Sequence, residues 1–96
     1  MPVYYVAHLK ITDAELFKSV NERFSDVFKR SSGKVLAADS NFELLSGQFD
    51  GTRVVIIEFP SVEELKNCYN SSDYQETAKL REKAAEATIL IAHGIT

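Results

Sequence analysis

A single cysteine, no tryptophan, two prolines and four glycines are the scarce residues of this 96-residue chain. Cys68 alone cannot close an internal disulfide, which sets aside the cross-linked scaffolds of small secreted domains and makes a reducing cytoplasm the expected location. Four isolated glycines build neither a phosphate loop nor a dinucleotide fingerprint. No apolar run approaches the ~20 residues that cross a bilayer, so no membrane partner is expected. Met1 to Ile11 does not read as a signal peptide, because Tyr4, Tyr5, His8 and Lys10 interrupt it. Basic charge is also short: 11 Lys and Arg against 14 Asp and Glu leave a net charge of -3. With only Lys29, Arg30 and Lys34 clustered, no nucleic-acid partner is expected. His8, His93 and Cys68 show none of the short ligand spacings of a zinc site, so neither a metal nor another cofactor is expected.

What is present is apolar and aromatic material: 45% hydrophobic residues, with six phenylalanines and four tyrosines. That suffices for one globular domain over residues 1–96. Val3 to Ile11 mixes β-branched and aromatic residues and predicts a strand. Thr12 and Glu15 have capping-box spacing, and Leu16, Phe17, Val20, Phe24, Val27 and Phe28 then make one helical stripe, closed by Gly33 in a left-handed conformation. Lys34 to Ala38 predicts a second strand, continued by Phe42 to Phe49 up to a hairpin signal at Asp50-Gly51. Thr52 to Phe59 is the most β-prone segment, and Pro60 stops it. Ser61 with Glu64 opens a short helix, Asn70-Ser71-Ser72 breaks it, and Ser72 with Gln75 opens another that runs to about Ala87. Thr88 to Ile95 completes the set as a strand. The order β-α-β-β-α-β predicts an α+β ferredoxin-like sandwich, a four-stranded, antiparallel-rich sheet with helices on one face.

Alternate side chains of a strand point to opposite sides of the sheet, so the bare face can be read by parity. One set, Tyr5, Ala7, Leu9, Ile11, Val55, Ile57, Phe59, Leu90 and Ala92, is wholly apolar and suits the helix side. The other is Tyr4, Val6, His8, Lys10, Val54, Ile56, Glu58, Ile89, Ile91, His93 and Ile95. It too is mostly apolar, and a sheet face of that kind does not stay in water. The expected partner is a second copy, giving a homodimer through the open sheet face.

The segments Glu58-Phe59-Pro60-Ser61 and Tyr69, Ser71, Tyr74, Leu80-Arg81, with Thr12-Asp13 opening the first helix, resemble the domain-of-unknown-function family thirteen-thirty, a member of the dimeric α/β-barrel superfamily. The resemblance spans nearly the whole chain and implies a ferredoxin-like homodimer without implying a reaction. Related barrel families include cofactor-independent monooxygenases, lactone isomerases and haem enzymes. Two positions depart from the pattern: Ser46-Gly47-Gln48 stands where relatives carry Glu-Gly-Asp, and Cys68 replaces an aromatic residue before Tyr69.

His8, Glu58 and His93 are the candidate catalytic residues, because the parity reading aims all three at one inter-sheet space. A carboxylate beside an imidazole orients it and tunes it toward acid-base work near neutral pH. Structural alternatives are a solvent-facing His93 and a Glu58 paired with Lys10 or Arg81. Arg81, Tyr69 and Tyr74 are the candidate ligand-binding residues, the guanidinium for a carboxylate and the phenols for walls and hydroxyls. Two functions follow. One is a cofactor-independent enzyme moving a proton on a small organic acid or aromatic metabolite that enters between sheet and helices. The other is a non-catalytic dimeric module that binds a ligand or a protein. A closed, polar-lined void of ~300 Å³ or more favours the first.

Overall fold

Seven elements follow one another in the structure, a computed structural model that describes residues 1–95: β1 (Val3–Ile11), α1 (Ala14–Lys29), β2 (Lys34–Asp39), β3 (Arg53–Phe59), α2 (Val62–Tyr69), α3 (Ser72–Arg81) and β4 (Ala85–His93). The strands make one antiparallel sheet in the order β2-β3-β1-β4. This is the ferredoxin-like βαββαβ arrangement expected from the sequence. Val3, Tyr5, Ala7, Ile57 and Phe59 meet Val20, Phe24, Val27 and Phe28 of α1, Leu65 and Cys68 of α2, and Tyr74 and Ala78 of α3 in one core. Each large apolar side chain buried there stabilises the fold by about 1.5–3 kcal/mol.

The helix starts are set by side-chain acceptors. Asp13, not Thr12, caps α1, its carboxylate accepting from the Leu16 N–H at 3.1 Å. Thr12 is drawn into the sheet instead, its N–H donating to the Ala84 carbonyl at 2.8 Å. Ser61 caps α2 as expected, whereas α3 takes Ser71 rather than Ser72, with Oγ accepting from the Tyr74 N–H at 3.2 Å.

Four further expectations need correction. The last helix stops at Arg81 and β4 starts at Ala85. The alanine-rich run favours a helix, but Ala84 and Ala85 are buried against Leu9 and Phe17, and the Ala84 carbonyl is held by both Thr12 and Asp13. Tertiary contacts outweigh propensity there. Second, the phase of β4 is the reverse of the one read from parity. The pairs Tyr5↔Ile91, Ala7↔Ile89 and Val3↔His93 put Ile89, Ile91 and His93 on the helix side, and Leu90 and Ala92 on the open side. Third, Phe42 to Phe49 forms no strand, and residues 40–52 fold onto the open face, where Phe42 packs on Phe49 and Phe49 stands edge-on to His8 with ring centroids 5.1 Å apart. Gly33 is not left-handed either. A Cβ at Gly33 would lie 2.7 Å from Cζ of Phe59, itself locked in the core, so close approach explains that glycine.

Candidate functional site

A cavity of about 150 Å³ lies between α1 and the sheet. Ala38, Val55 and Ala7 are successive cross-strand neighbours along its floor. Two methyl-sized side chains in that row leave space that larger residues would fill. Phe17, Phe24 and Phe28 of α1 wall the cavity, with Asn21 and Ser25 set among them. The middle is therefore mostly apolar and uncharged, while each end carries an arginine.

At one end stand Tyr5, Tyr74 and Arg81. The Tyr5 and Tyr74 hydroxyls are 2.6 Å apart in a buried hydrogen bond, and Nη1 of Arg81 donates to the Tyr74 hydroxyl at 3.4 Å. Burial, reinforced by the neighbouring Tyr74 and opposed by Arg81, raises the Tyr5 phenol well above its ordinary range. Tyr5 is thus a proton holder and hydrogen-bond donor at neutral pH. At the other end Arg53 donates from Nη1 to the Ser40 hydroxyl at 3.0 Å. The guanidiniums lie over aromatic rings, Arg81 over Phe24 at 5.3 Å and Arg53 over Phe17 at 5.9 Å. Nε of each arginine is buried without a hydrogen-bond partner. No carboxylate neutralises either one, since the ion pairs among the described residues are Lys10 with Asp50 and Arg30 with Asp73. Two uncompensated cations beside an apolar cavity are an arrangement that an anion completes.

The expected residues distribute unevenly around this geometry. Arg81 lines the cavity and Tyr74 meets it through Tyr5, while Tyr69 packs at a tilt on the Tyr74 ring, centroids 4.9 Å apart, and is partly exposed. His8, Glu58 and His93 are not brought together. His8 pairs with Val54 and Glu58 with Tyr4, four residues apart along β1 or about 13 Å, and His93 is on the opposite face. Glu58 pairs with neither Lys10 nor Arg81, because Lys10 is engaged with Asp50 at 3.5 Å. His8 borders a separate shallow hollow of about 320 Å³ with Phe42, Phe49 and Val54 on the open face. Among the described residues no group of three or more His, Cys, Asp or Glu is arranged to hold a metal ion.

Arg53, Asn21 and Ser25 were not legible as site residues. A signal existed for Arg53: it has the parity of Val55 and Ile57, a charge on the face otherwise reserved for the core. Asn21 and Ser25 sit one turn apart inside a phenylalanine stripe, where two polar residues mark a gap in the packing.

The sequence profile of the family described as Domain of unknown function (DUF1330) matches residues 2–95. The chain belongs to the DUF1330 family. No curated protein matches it. Solved structures similar to this DUF1330 chain include a protein of unknown function from Rhodopseudomonas palustris, 21% identical with a TM-score of 0.80, covering 99% of this chain and 83% of that one. SnoaB, a cofactor-independent oxygenase from Streptomyces nogalater, is 14% identical with a TM-score of 0.75, covering 99% of this chain and 94% of that one. A dimeric ferredoxin-like protein of unknown function from Thermobifida fusca is 10% identical with a TM-score of 0.69, covering 97% and 92%. These likenesses establish the fold of the DUF1330 chain. No helix among its described residues is long and apolar enough to cross a membrane.

Proposed function

We propose that the chain is a cytoplasmic homodimer that binds a small aromatic or apolar acid in the cavity between α1 and the sheet and moves a proton on it without a cofactor. The observation carrying this reading is the pair Arg53 and Arg81, bordering an otherwise uncharged and mostly apolar cavity with each Nε buried and unpartnered. Arg81 holds a carboxylate or enolate oxygen with its planar fork. Tyr5, kept protonated by burial, donates a hydrogen bond to that oxygen; when water or hydroxide from solvent takes the α-hydrogen, the C–H electron pair moves onto the oxygen, where Arg81 and the Tyr5 hydroxyl stabilise the enolate until solvent returns a proton to carbon. A cofactor-independent oxygenase on the same fold supports chemistry in such a chain. Cys68, buried in the core with its thiol pushed up by burial, suits a reducing compartment.

The dimer is supported by the dimeric Thermobifida fusca neighbour and by surface area. The chain exposes 6365 Å², where a compact monomer of this mass exposes about 5,500 Å². Much of the excess fits a slab 16 Å thick whose open face carries Tyr4, Val6, Ile56 and Leu90. His8 and Glu58 belong to that face in this reading, apart from the cavity. A non-catalytic binding module is the second reading. It is favoured by the cavity's size, half the expected threshold, and by a lining without histidine or carboxylate.

Two measurements decide. Benzoate should bind by calorimetry and lose at least tenfold in affinity in Arg81→Met; no binding overturns both readings. Phenylpyruvate in D2O should exchange its α-hydrogens faster than the uncatalysed rate, with the acceleration lost in Tyr5→Phe. Benzoate binding without exchange sinks the enzyme and leaves the module.

A further inference from the structure

The two arginines are at opposite ends of the cavity, and their separation says what shape of acid it takes. Arg53 is the cross-strand partner of Leu9 on β1, while Arg81 reaches the hydroxyl of Tyr74, which is bonded to Tyr5. Tyr5 and Leu9 are four residues apart on one strand, about 13 Å. On the opposite wall the guanidiniums cover Phe17 and Phe24, seven residues or about 10 Å apart along α1. Sheet and helix thus give spans of about 13 and about 10 Å independently. Between the ends lie the Ala7 and Val55 side chains and the phenylalanine rings, with no charged group.

Resting on the reading of the cavity as an acid-binding site, the geometry points to a ligand with two anionic groups, one at each end of a flat apolar body. Allowing a hydrogen-bond reach of ~2.8 Å at each guanidinium leaves roughly 5–7 Å between the two anionic groups. A single benzene ring substituted at its para positions supplies that distance, and a cavity of about 150 Å³ is the size known to enclose one benzene ring. A monoacid satisfies Arg81 and leaves Arg53 uncompensated. A para-diacid satisfies both, and each buried Nε gains an acceptor. The substrate class is therefore a short, rigid diacid, such as an aromatic ring with carboxylates or ionised hydroxyls at both ends.

Calorimetry of the full chain with benzoate, terephthalate and isophthalate tests this. Terephthalate should bind at least tenfold more tightly than benzoate, and isophthalate, whose second carboxylate is misdirected, should bind more weakly than terephthalate. Arg53→Met should reduce terephthalate to the level at which the unmodified protein binds benzoate, and Arg53→Lys should restore part of the difference. Benzoate binding with no advantage for terephthalate overturns the diacid inference and leaves the acid-binding site standing. Absence of binding by all three overturns both. The comparison within the unmodified protein decides even if an arginine variant fails to fold.

Discussion

At the scale of single residues the protein concentrates its unusual chemistry in the Tyr5–Tyr74–Arg81 group. The 2.6 Å hydroxyl contact is buried, and removing either oxygen costs about 1 kcal/mol of folding stability. Its pH signature is more specific. Folding raises the Tyr5 pKa above its ordinary 10.0, so above that pH the unfolded chain releases a proton that the native chain retains. The native state is then the more protonated, and its stability falls as pH rises. In Tyr5→Phe the alkaline slope of stability against pH, measured by urea unfolding between pH 9 and 11.5, should shrink by up to ~1.4 kcal/mol per pH unit. An unchanged slope would show that Tyr5 ionises as freely in the fold as outside it. Single residues were also where sequence reading was weakest. The chemistry of a guanidinium and a phenol marks Arg81 and Tyr74 as ligand-binding candidates, and their seven-residue spacing puts both on one face of α3, whereas Arg53 stands at the end of a β-prone run that hides its inward parity.

At the scale of elements, periodicity carried most of the fold. The α1 stripe, the Ser61 cap and the break before α3 all stand where spacing put them. Failures arose where local signals were degenerate. Isoleucine and leucine occupy both parities of β4, so only pairing with β1 chooses its phase, and a one-residue slip exchanges its faces. That slip moved His93 away from His8 and Glu58. Capping was ambiguous for a similar reason, since Thr12 and Asp13 are both good acceptors. The assignment to Asp13 predicts that Asp13→Ala lowers stability by about 1 kcal/mol in chemical denaturation, and that Thr12→Ala changes it by less than about 0.5. The reverse order would return the cap to Thr12.

At the scale of the molecule, a two-layer slab with one helical layer has a second apolar face to cover. Light scattering after size exclusion should give twice the 10.8 kDa chain mass at micromolar concentration. Val6→Glu, on the open face opposite Ile56 and Leu90, should halve that mass while far-ultraviolet circular dichroism stays native-like. A 10.8 kDa species from the unmodified chain would refute the dimer. The outer strand carries a separate liability. β4 pairs with β1 along nine residues in unbroken register, and its other edge has no neighbour in the sheet. The opposite edge strand, β2, is blunted by a bulge between Val35 and Ala37 and begins with Lys34. A long, unbulged edge with exposed Leu90 and Ile91 is a template on which further chains can add as strands. Fibre-like self-association is therefore expected to start from this strand, and Leu90→Lys, which puts a charge on the edge strand as well as on the open face, is the substitution that keeps the chain in solution.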